Sequence, residues 1–256
     1  MASTFEKGQI IENGLNTHNT LSKIRKLMAP VIAALAIAGC TTNPAPGGNG
    51  NTTTTQPGVE MLSPDDADKV YITGCDSNTT GSYSLLNNQP FSYSNGLENR
   101  GAREVVKAAV NGSAISTFTP TLAEQAVIDE INDGEDPENI RVISQCVTNA
   151  AVTSLTAPEI TQLNTAMATN LENLGVDVVF LETPPIQPGT LPEQTNPGVN
   201  DKISQVNEIL EASAETEQYD FVDYPYAYGY ADPIHIGPTT QNSIAANLVS
   251  FLNQQP

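Results

Sequence analysis

The sequence contains few aromatic and few basic residues, and both shortages limit what the protein can do. It has no Trp, and aromatic residues make up 5% of the chain, so a core must be built mainly from aliphatic side chains. Only 10 basic residues accompany 29 acidic ones, which gives a formal net charge of −19. Because phosphate contacts need Lys and Arg, this balance argues against nucleic acid as a partner. The acidity favours a highly soluble surface, although an acidic binding site would have the same composition.

Histidine and cysteine are also scarce. The chain has two histidines, His18 and His235, and three cysteines, Cys40, Cys75 and Cys146. No group of these residues has the spacing of a metal site. We therefore expect neither a metal nor another cofactor.

The first forty residues have the three parts of a secretory signal. A basic cluster at 23–26 precedes an apolar run at 27–38, which is too short to span a bilayer because a spanning helix needs about 20 residues. The ending at 37–40, Ile-Ala-Gly-Cys, resembles the lipobox of bacterial lipoproteins. This resemblance implies that 1–39 are a lipoprotein signal peptide and that Cys40 is lipidated. An ordinary buried helix, or a signal cleaved at another small residue, is the alternative.

The stretch that follows Cys40 has the composition of a tether. Residues 41–57 contain no charged residue and few apolar ones, so they cannot offset the entropy lost on ordering. We expect 40–64 to be a flexible lipid-anchored tether and 65–256 to be one domain. The mature protein would then be an exported monomer, held in the bacterial cell envelope at the outer membrane, with His235 as its only histidine.

Hydrophobic patterns in 65–256 predict strands that alternate with helices. The expected strands are 70–73, 104–110, 140–143, 176–181 and 219–222, and the expected helices are 121–132, 157–174, 201–213 and 240–252. This alternation predicts an α/β fold with a parallel sheet covered on both faces. The proline-rich stretch 184–197 should be an irregular loop at the carboxyl edge of the sheet, where ligands bind in such folds.

The first candidate functional segment follows the first predicted strand and contains Ser77. A serine in a tight turn from a strand to a helix can present its hydroxyl at the sheet edge, where backbone N–H groups point into the same space. A turn or a helix cap would also explain a serine next to Asp, Asn and Thr.

The second candidate segment lies near the end of the chain and contains Asp232 and His235. A carboxylate three residues before a histidine can hold the imidazole tautomer, which leaves the other nitrogen free to take a proton from a serine. A surface Asp in a proline turn beside a half-buried His is the alternative.

Four blocks in this order resemble those of the SGNH (GDSL-like) hydrolases. Asp76-Ser77-Asn78-Thr79 with Gly81 is similar to the family's first block, and Asp232-x-x-His235 is similar to its last. Between them, 110–114 (VNGSA) and 147–150 (VTNA) follow the second and third strands, where the family supplies oxyanion donors. The resemblance covers 65–256.

The resemblance implies a three-layer α/β/α fold with a flavodoxin-like five-stranded sheet, and a serine esterase that cleaves a small acyl or acetyl ester. Ser77 would be the nucleophile, with His235 and Asp232 as its acid–base partners. The N–H groups of Ser77 and Gly112 and the side chain of Asn149 would form the oxyanion hole.

The sequence departs from the family pattern at three positions, where Cys75, Val147 and Ala150 replace Gly, Gly and Asp. A degenerate surface lipoprotein that binds glycan or another envelope component is therefore the alternative to an esterase.

The strand order that the resemblance implies, 2-1-3-4-5, makes the first and third strands neighbours. Cys75 and Cys146 end these strands, and a disulfide suits the oxidising surroundings of an exported protein. We expect a Cys75–Cys146 bridge at the floor of the site, with two buried thiols as the alternative.

Overall fold

A computed structural model describes residues 59–75, 77–115, 121–214, 216, 219–225 and 227–255. The expected signal peptide, the lipidation site Cys40, nearly all of the expected tether and the motif residue Asp76 lie outside these described residues. They stay predictions from the sequence.

The centre of the described chain is a five-stranded parallel sheet. Its strands are β1 (Val70–Cys75), β2 (Glu104–Lys107), β3 (Ile140–Gln145), β4 (Asp177–Leu181) and β5 (Asp220–Val222). Their spatial order is β2-β1-β3-β4-β5, with every neighbouring pair parallel. This is the predicted flavodoxin-like order, and the fold class is confirmed.

Nine α-helices connect and cover the described strands. They are α1 (Pro64–Ala67), α2 (Ser77–Thr80), α3 (Tyr93–Glu98), α4 (Leu122–Asp133), α5 (Thr148–Ala151), α6 (Ala157–Glu172), α7 (Leu191–Thr195), α8 (Val199–Ala214) and α9 (Pro238–Leu252). A 3₁₀ turn spans Pro137–Asn139, and a two-stranded hairpin pairs Leu85–Leu86 with Gln89–Pro90. Thr121 and Thr156 begin α4 and α6 with capping boxes, which satisfy backbone N–H groups at both helix starts.

The sheet has a separate apolar layer on each face. Side chains of β1 alternate between them, with Val70 and Ile72 in one layer and Tyr71 in the other. Helices α4, α6 and α8 cover the first face, and α3 and α9 cover the second. Because both faces are covered, β1 and β3 are buried along nearly their whole length.

Four details differ from the sequence expectations. Strand β2 ends at Lys107 rather than at residue 110, and the loop after β4 contains the short helix α7. Leu174, the last residue of the expected helix 157–174, lies in the turn beyond the end of α6 at Glu172 and is 39% exposed. Packing on the domain also starts before residue 65, since Leu62 is buried and its N–H donates to the carbonyl of Arg100.

Among the described residues, no helix combines the length and the apolar character needed to cross a bilayer. The same residues contain no group of three or more His, Cys, Asp or Glu that could hold a metal ion.

Candidate active site

Ser77 is the first residue of α2, directly beyond the carboxyl end of β1. The sharp turn is closed by Thr79, whose hydroxyl accepts from the N–H of Cys75 at 3.2 Å and donates to the carbonyl of Gly74 at 3.0 Å. The sequence therefore turns from strand to helix within two residues. Ser77 is 8% exposed, so its side chain is largely shielded from bulk water.

His235 lies in the tight loop before α9 and contacts Ser77. Its Nε2 is 2.8 Å from the Oγ of Ser77, across 158 positions of sequence. Its Nδ1 is 2.8 Å from Oδ2 of Asp232, which also accepts at Oδ1 from the backbone N–H groups of Ile234 and His235 at 2.8 and 2.9 Å. The three predicted side chains thus form a continuous hydrogen-bonded chain from hydroxyl to imidazole to carboxylate.

The environment of Asp232 favours its charged form. Burial raises the pKa of Asp232, but the N–H groups of Ile234 and His235 and the imidazole together outweigh burial, and the net pKa lies below the usual range for Asp. Asp232 is therefore a carboxylate at neutral pH. A carboxylate bound to Nδ1 fixes the tautomer in which Nε2 is free to accept a proton.

Two further hydrogen bonds join the segments that carry Ser77 and His235. The side chain of Asn78 accepts from the N–H of Ile236 at 3.3 Å, and Gln241 in α9 donates to the carbonyl of Asn78 at 3.0 Å. The residues next to the serine and the histidine are therefore held to each other. These bonds help to hold the side chains of Ser77 and His235 close together.

The expected oxyanion donors come from three loops at the same edge. Ser77 begins a helix, so its N–H has no intrahelical acceptor. Gly112 has a φ of +75° and faces open space, and neither N–H donates to another described residue. Asn149 lies in the first turn of α5, and its side-chain nitrogen donates one hydrogen to the carbonyl of Ser113 at 2.8 Å, which leaves the second hydrogen available.

Hydrogen bonds also join the loop that holds Gly112 to the turn that holds Ser77. The hydroxyl of Ser113 donates to the carbonyl of Cys75 at 2.6 Å, and the hydroxyl of Thr80 donates to the side chain of Asn111 at 2.7 Å. The structure therefore brings the predicted donors to the same edge of the sheet as Ser77.

Solved structures with a similar fold are numerous, although no family model and no curated protein matches the chain. A lipolytic G-D-S-L family protein from Veillonella parvula is 12% identical, with a TM-score of 0.57, 73% of this chain and 99% of that chain covered. A carbohydrate acetylesterase from Sinorhizobium meliloti is 14% identical, with a TM-score of 0.58, 72% and 98% covered. The aryl esterase of M. smegmatis is 15% identical, with a TM-score of 0.58 and the same coverage. The chain has the SGNH hydrolase fold.

Within this SGNH fold, Cys75 and Cys146 are joined by a disulfide, with their Cα atoms 5.3 Å apart. The bridge connects the ends of the neighbouring strands β1 and β3, directly below the turns that carry Ser77 and Asn149. The departure at Cys75 is thus one half of a cross-link. The other two departures, Val147 and Ala150, are buried in the core, with exposed fractions of 2% and 0%. Neither side chain is therefore exposed at the site.

One residue that contacts the predicted triad, Tyr83, was not predicted from the sequence. Its ring stacks on the imidazole of His235, with the ring centroids 4.0 Å apart and the planes inclined by 15°. Tyr83 comes six residues after Ser77 and is 50% exposed. No local pattern marks it, because the contact joins two loops that are distant in sequence.

Proposed function

We propose that this protein is a serine ester hydrolase that cleaves short-chain acyl or acetyl esters through an acyl-enzyme. The observation that carries the proposal is the chain of contacts from Ser77 Oγ to His235 Nε2 and from His235 Nδ1 to Asp232, each 2.8 Å long. The fold supports it, since the similar structures described above include esterases. Their low identity leaves the substrate to be decided by experiment.

Acylation begins when Ser77 Oγ attacks the ester carbonyl while His235 Nε2 takes its proton. Asp232 stabilises the imidazolium that results. The imidazolium then gives its proton to the alkoxide oxygen of the leaving alcohol, and the acyl group stays on Ser77. In the second half, His235 takes a proton from water, the hydroxide attacks the acyl carbonyl, and the proton returns to Ser77.

Negative charge develops on the carbonyl oxygen in both halves of the reaction. The N–H groups of Ser77 and Gly112 and the side chain of Asn149 would donate to this oxygen. Losing one such donor costs about 10²–10³ in kcat, so Asn149→Ala should slow hydrolysis by that factor. Asn149→Asp keeps the shape but removes the donor, and it should be at least as slow.

The direct test uses p-nitrophenyl acetate and butyrate with the wild type and Ser77→Ala. We expect Ser77→Ala to reduce hydrolysis to the uncatalysed background. Ser82→Ala is the matched control, because Ser82 is an exposed serine five residues away that bonds only Thr80 among the described residues. A fluorophosphonate should label the wild type on the peptide that contains Ser77 and should not label the alanine variant.

Equal rates for the wild type and Ser77→Ala would reject the esterase proposal. The alternative, a non-catalytic protein that keeps the fold and binds a glycan or another envelope component, would then be preferred. No contact in the described residues favours that alternative over hydrolysis.

We further propose that the protein is exported and anchored by a lipid on Cys40. The lipobox-like ending at 37–40 supports this location, and so does the Cys75–Cys146 disulfide, since such bonds persist in oxidising compartments. Cells fed a labelled fatty acid should incorporate it into the wild type and not into Cys40→Ala. Incorporation into both proteins would reject Cys40 as the lipidation site.

A further inference from the structure

Exposed large hydrophobic side chains are concentrated at the carboxyl edge of the sheet. Six of the eight among the described residues lie in segments that follow a strand's carboxyl end, and the other two, Leu174 in the turn after α6 and Ile209 in α8, lie away from it. Three of the six belong to a single run beside the triad: Tyr83, Leu85 and Leu86, with exposed fractions of 50%, 52% and 45%. Exposed apolar groups clustered at one place mark a binding surface more often than scattered ones do.

This run is held in a defined position relative to Ser77. The N–H of Gly81 donates to the carbonyl of Ser77 at 3.1 Å, the N–H of Ser84 donates to Gly81 at 3.0 Å, and the N–H of Phe91 donates to Ser84 at 2.8 Å. Gly81 has a φ of +70°, and a Cβ there would come within 2.6 Å of the backbone of Phe91. The base of the hairpin therefore packs directly against the end of α2, the helix that begins with Ser77.

The stacked ring of Tyr83 places the hairpin on a particular side of the reacting ester. His235 Nε2 must reach the oxygen of the leaving alcohol to protonate it. The group bonded to that oxygen therefore leaves the site beside the imidazole, where Tyr83 lies. The carbonyl oxygen points instead toward Gly112 and Asn149, on the loops after β2 and β3.

We propose that Tyr83, Leu85 and Leu86 form a subsite for the alcohol part of the ester, and that this alcohol is apolar, either alkyl or aryl. The inference rests on the esterase function proposed above. The occupant is a small apolar group rather than an anionic one, since no Lys or Arg occurs within 81–91 and the whole chain has a net charge of −19.

The test compares n-alkyl acetates from ethyl to hexyl acetate, whose alcohols have similar pKa values, so that the slope reports contacts with the chain. For the wild type, kcat/KM should rise about two- to fourfold with each added methylene, as expected for a partly buried CH₂. In the double variant Leu85→Gln/Leu86→Gln this rise should fall to less than about 1.5-fold per methylene. Tyr83→Ala should also reduce the slope.

The matched control is Leu174→Gln/Ile209→Gln, which replaces two aliphatic residues outside the catalytic edge that are 39% and 37% exposed. It should keep the wild-type slope. A second series, methyl esters of acids from acetic to hexanoic, varies the acyl side instead, and its chain-length dependence should be the same in the wild type and in the hairpin variant. If the double hairpin variant unfolds, each single variant should remove part of the slope.

Three results would overturn the subsite: a wild type without a slope, a slope that survives in the hairpin variants, or an equal loss in both ester series. In each case ethyl acetate is still hydrolysed in a Ser77-dependent manner, so the esterase proposal stands. Failure of the wild type to hydrolyse any of these esters would reject the esterase proposal and the subsite together.

Discussion

At each of the two edges of the sheet, a nitrogen-containing side chain lies between two hydrogen-bonding partners, but the two arrangements differ in the chemistry that they allow. At the carboxyl edge, the imidazole of His235 lies between the carboxylate of Asp232 and the hydroxyl of Ser77. At the amino edge, the guanidinium of Arg141 lies between the carboxylates of Asp66 and Asp177, at 3.1 and 3.0 Å. Each is a nitrogen-containing side chain held between two partners. The comparison shows that the second partner decides what the group can do.

The guanidinium of Arg141 has N–H donors but no acceptor nitrogen, so it cannot take a proton from a neighbouring group. Its neighbour Tyr71 donates to the carbonyl of Asp66, and burial, reinforced by the charge of Asp66, raises the pKa of Tyr71 far above its usual value. Tyr71 therefore stays protonated. At the carboxyl edge, by contrast, one nitrogen of His235 faces a hydroxyl that can lose its proton.

The largest effect expected from this comparison is that two Asp→Asn variants change different properties, one the reaction rate and the other the thermal stability. Asp232→Asn removes the acceptor that fixes the His235 tautomer, and kcat should fall by about 10³–10⁴ while the melting temperature changes little. Asp66→Asn should lower the melting temperature, because it weakens the buried pair with Arg141, and should leave kcat of the folded enzyme near the wild-type value. Rates and thermal unfolding of both variants check this difference. A large loss of kcat in both would show that the two edges are coupled rather than separate.

The next effect concerns the free energy of unfolding alone. Arg141 is 8% exposed, and Arg141→Met leaves the carboxylate of Asp66 buried without its partner, so stability should fall by about 3–5 kcal/mol. Arg103→Met is the matched control, since Arg103 pairs with Glu135 at 2.7 Å on the surface and should cost less than about 1 kcal/mol. Urea unfolding measures both. Similar losses would contradict the structural role assigned to the amino-edge pair.

The strands could be predicted from the sequence for a physical reason. Runs such as 140–143 and 176–181 are apolar except for Arg141 and Asp177 near their starts, and nearly continuous apolar runs are typical of strands covered on both faces. The hairpin at 85–90 and the helix α3 could not be predicted, because segments of two to six residues are too short to show a period. The end of one helix was also predicted wrongly, since Leu174 continues the apolar spacing of α6 but lies in the turn beyond Glu172.

The candidate site was predictable where the signal is local. The strand-to-helix turn at Ser77 and the pair Asp232-x-x-His235 are each contained within a few residues. The order of the family-like blocks along the chain predicted which loops meet at the site. The contact of Tyr83 with His235 has no such signal, because stacking depends on how two loops pack and not on either sequence.

A third prediction asks whether the Cys75–Cys146 disulfide at the carboxyl edge supports stability rather than the reaction rate. Replacing both Cys75 and Cys146 with Ala removes a cross-link between positions 71 residues apart, and stability should fall by about 2–4 kcal/mol. Because no hydrogen bond among the described residues links either sulfur to a triad side chain, kcat of the folded variant should stay within about tenfold of the wild type. Activity and urea unfolding of the double variant test both statements. A loss of rate as large as that of Asp232→Asn would place the bridge in the catalytic machinery.

The smallest effect tests whether position at the carboxyl edge alone gives a carboxylate a special role. Glu182 follows β4 and accepts from the N–H of Tyr224 at 2.7 Å, but burial outweighs this bond and raises the pKa of Glu182. Since the folded pKa lies above the unfolded one, wild-type stability falls as pH rises from about 4 through the raised value. Glu182→Gln keeps an acceptor and does not titrate. It should therefore melt about 1–3 °C above the wild type at pH 7, and the gap should close at pH 4.

A variant of Glu159, at the start of α6, should show the opposite dependence of stability on pH. The N–H of Thr156 lowers the pKa of Glu159, so the carboxylate of Glu159 stabilises the folded state above its unfolded pKa, and this contribution is lost as pH falls. Glu159→Gln should therefore melt below the wild type at pH 7, with the difference vanishing toward pH 3. Neither variant should change kcat, because neither carboxylate contacts the triad. If Glu182→Gln instead slowed hydrolysis as Asp232→Asn does, the carboxyl edge would hold a second functional acid.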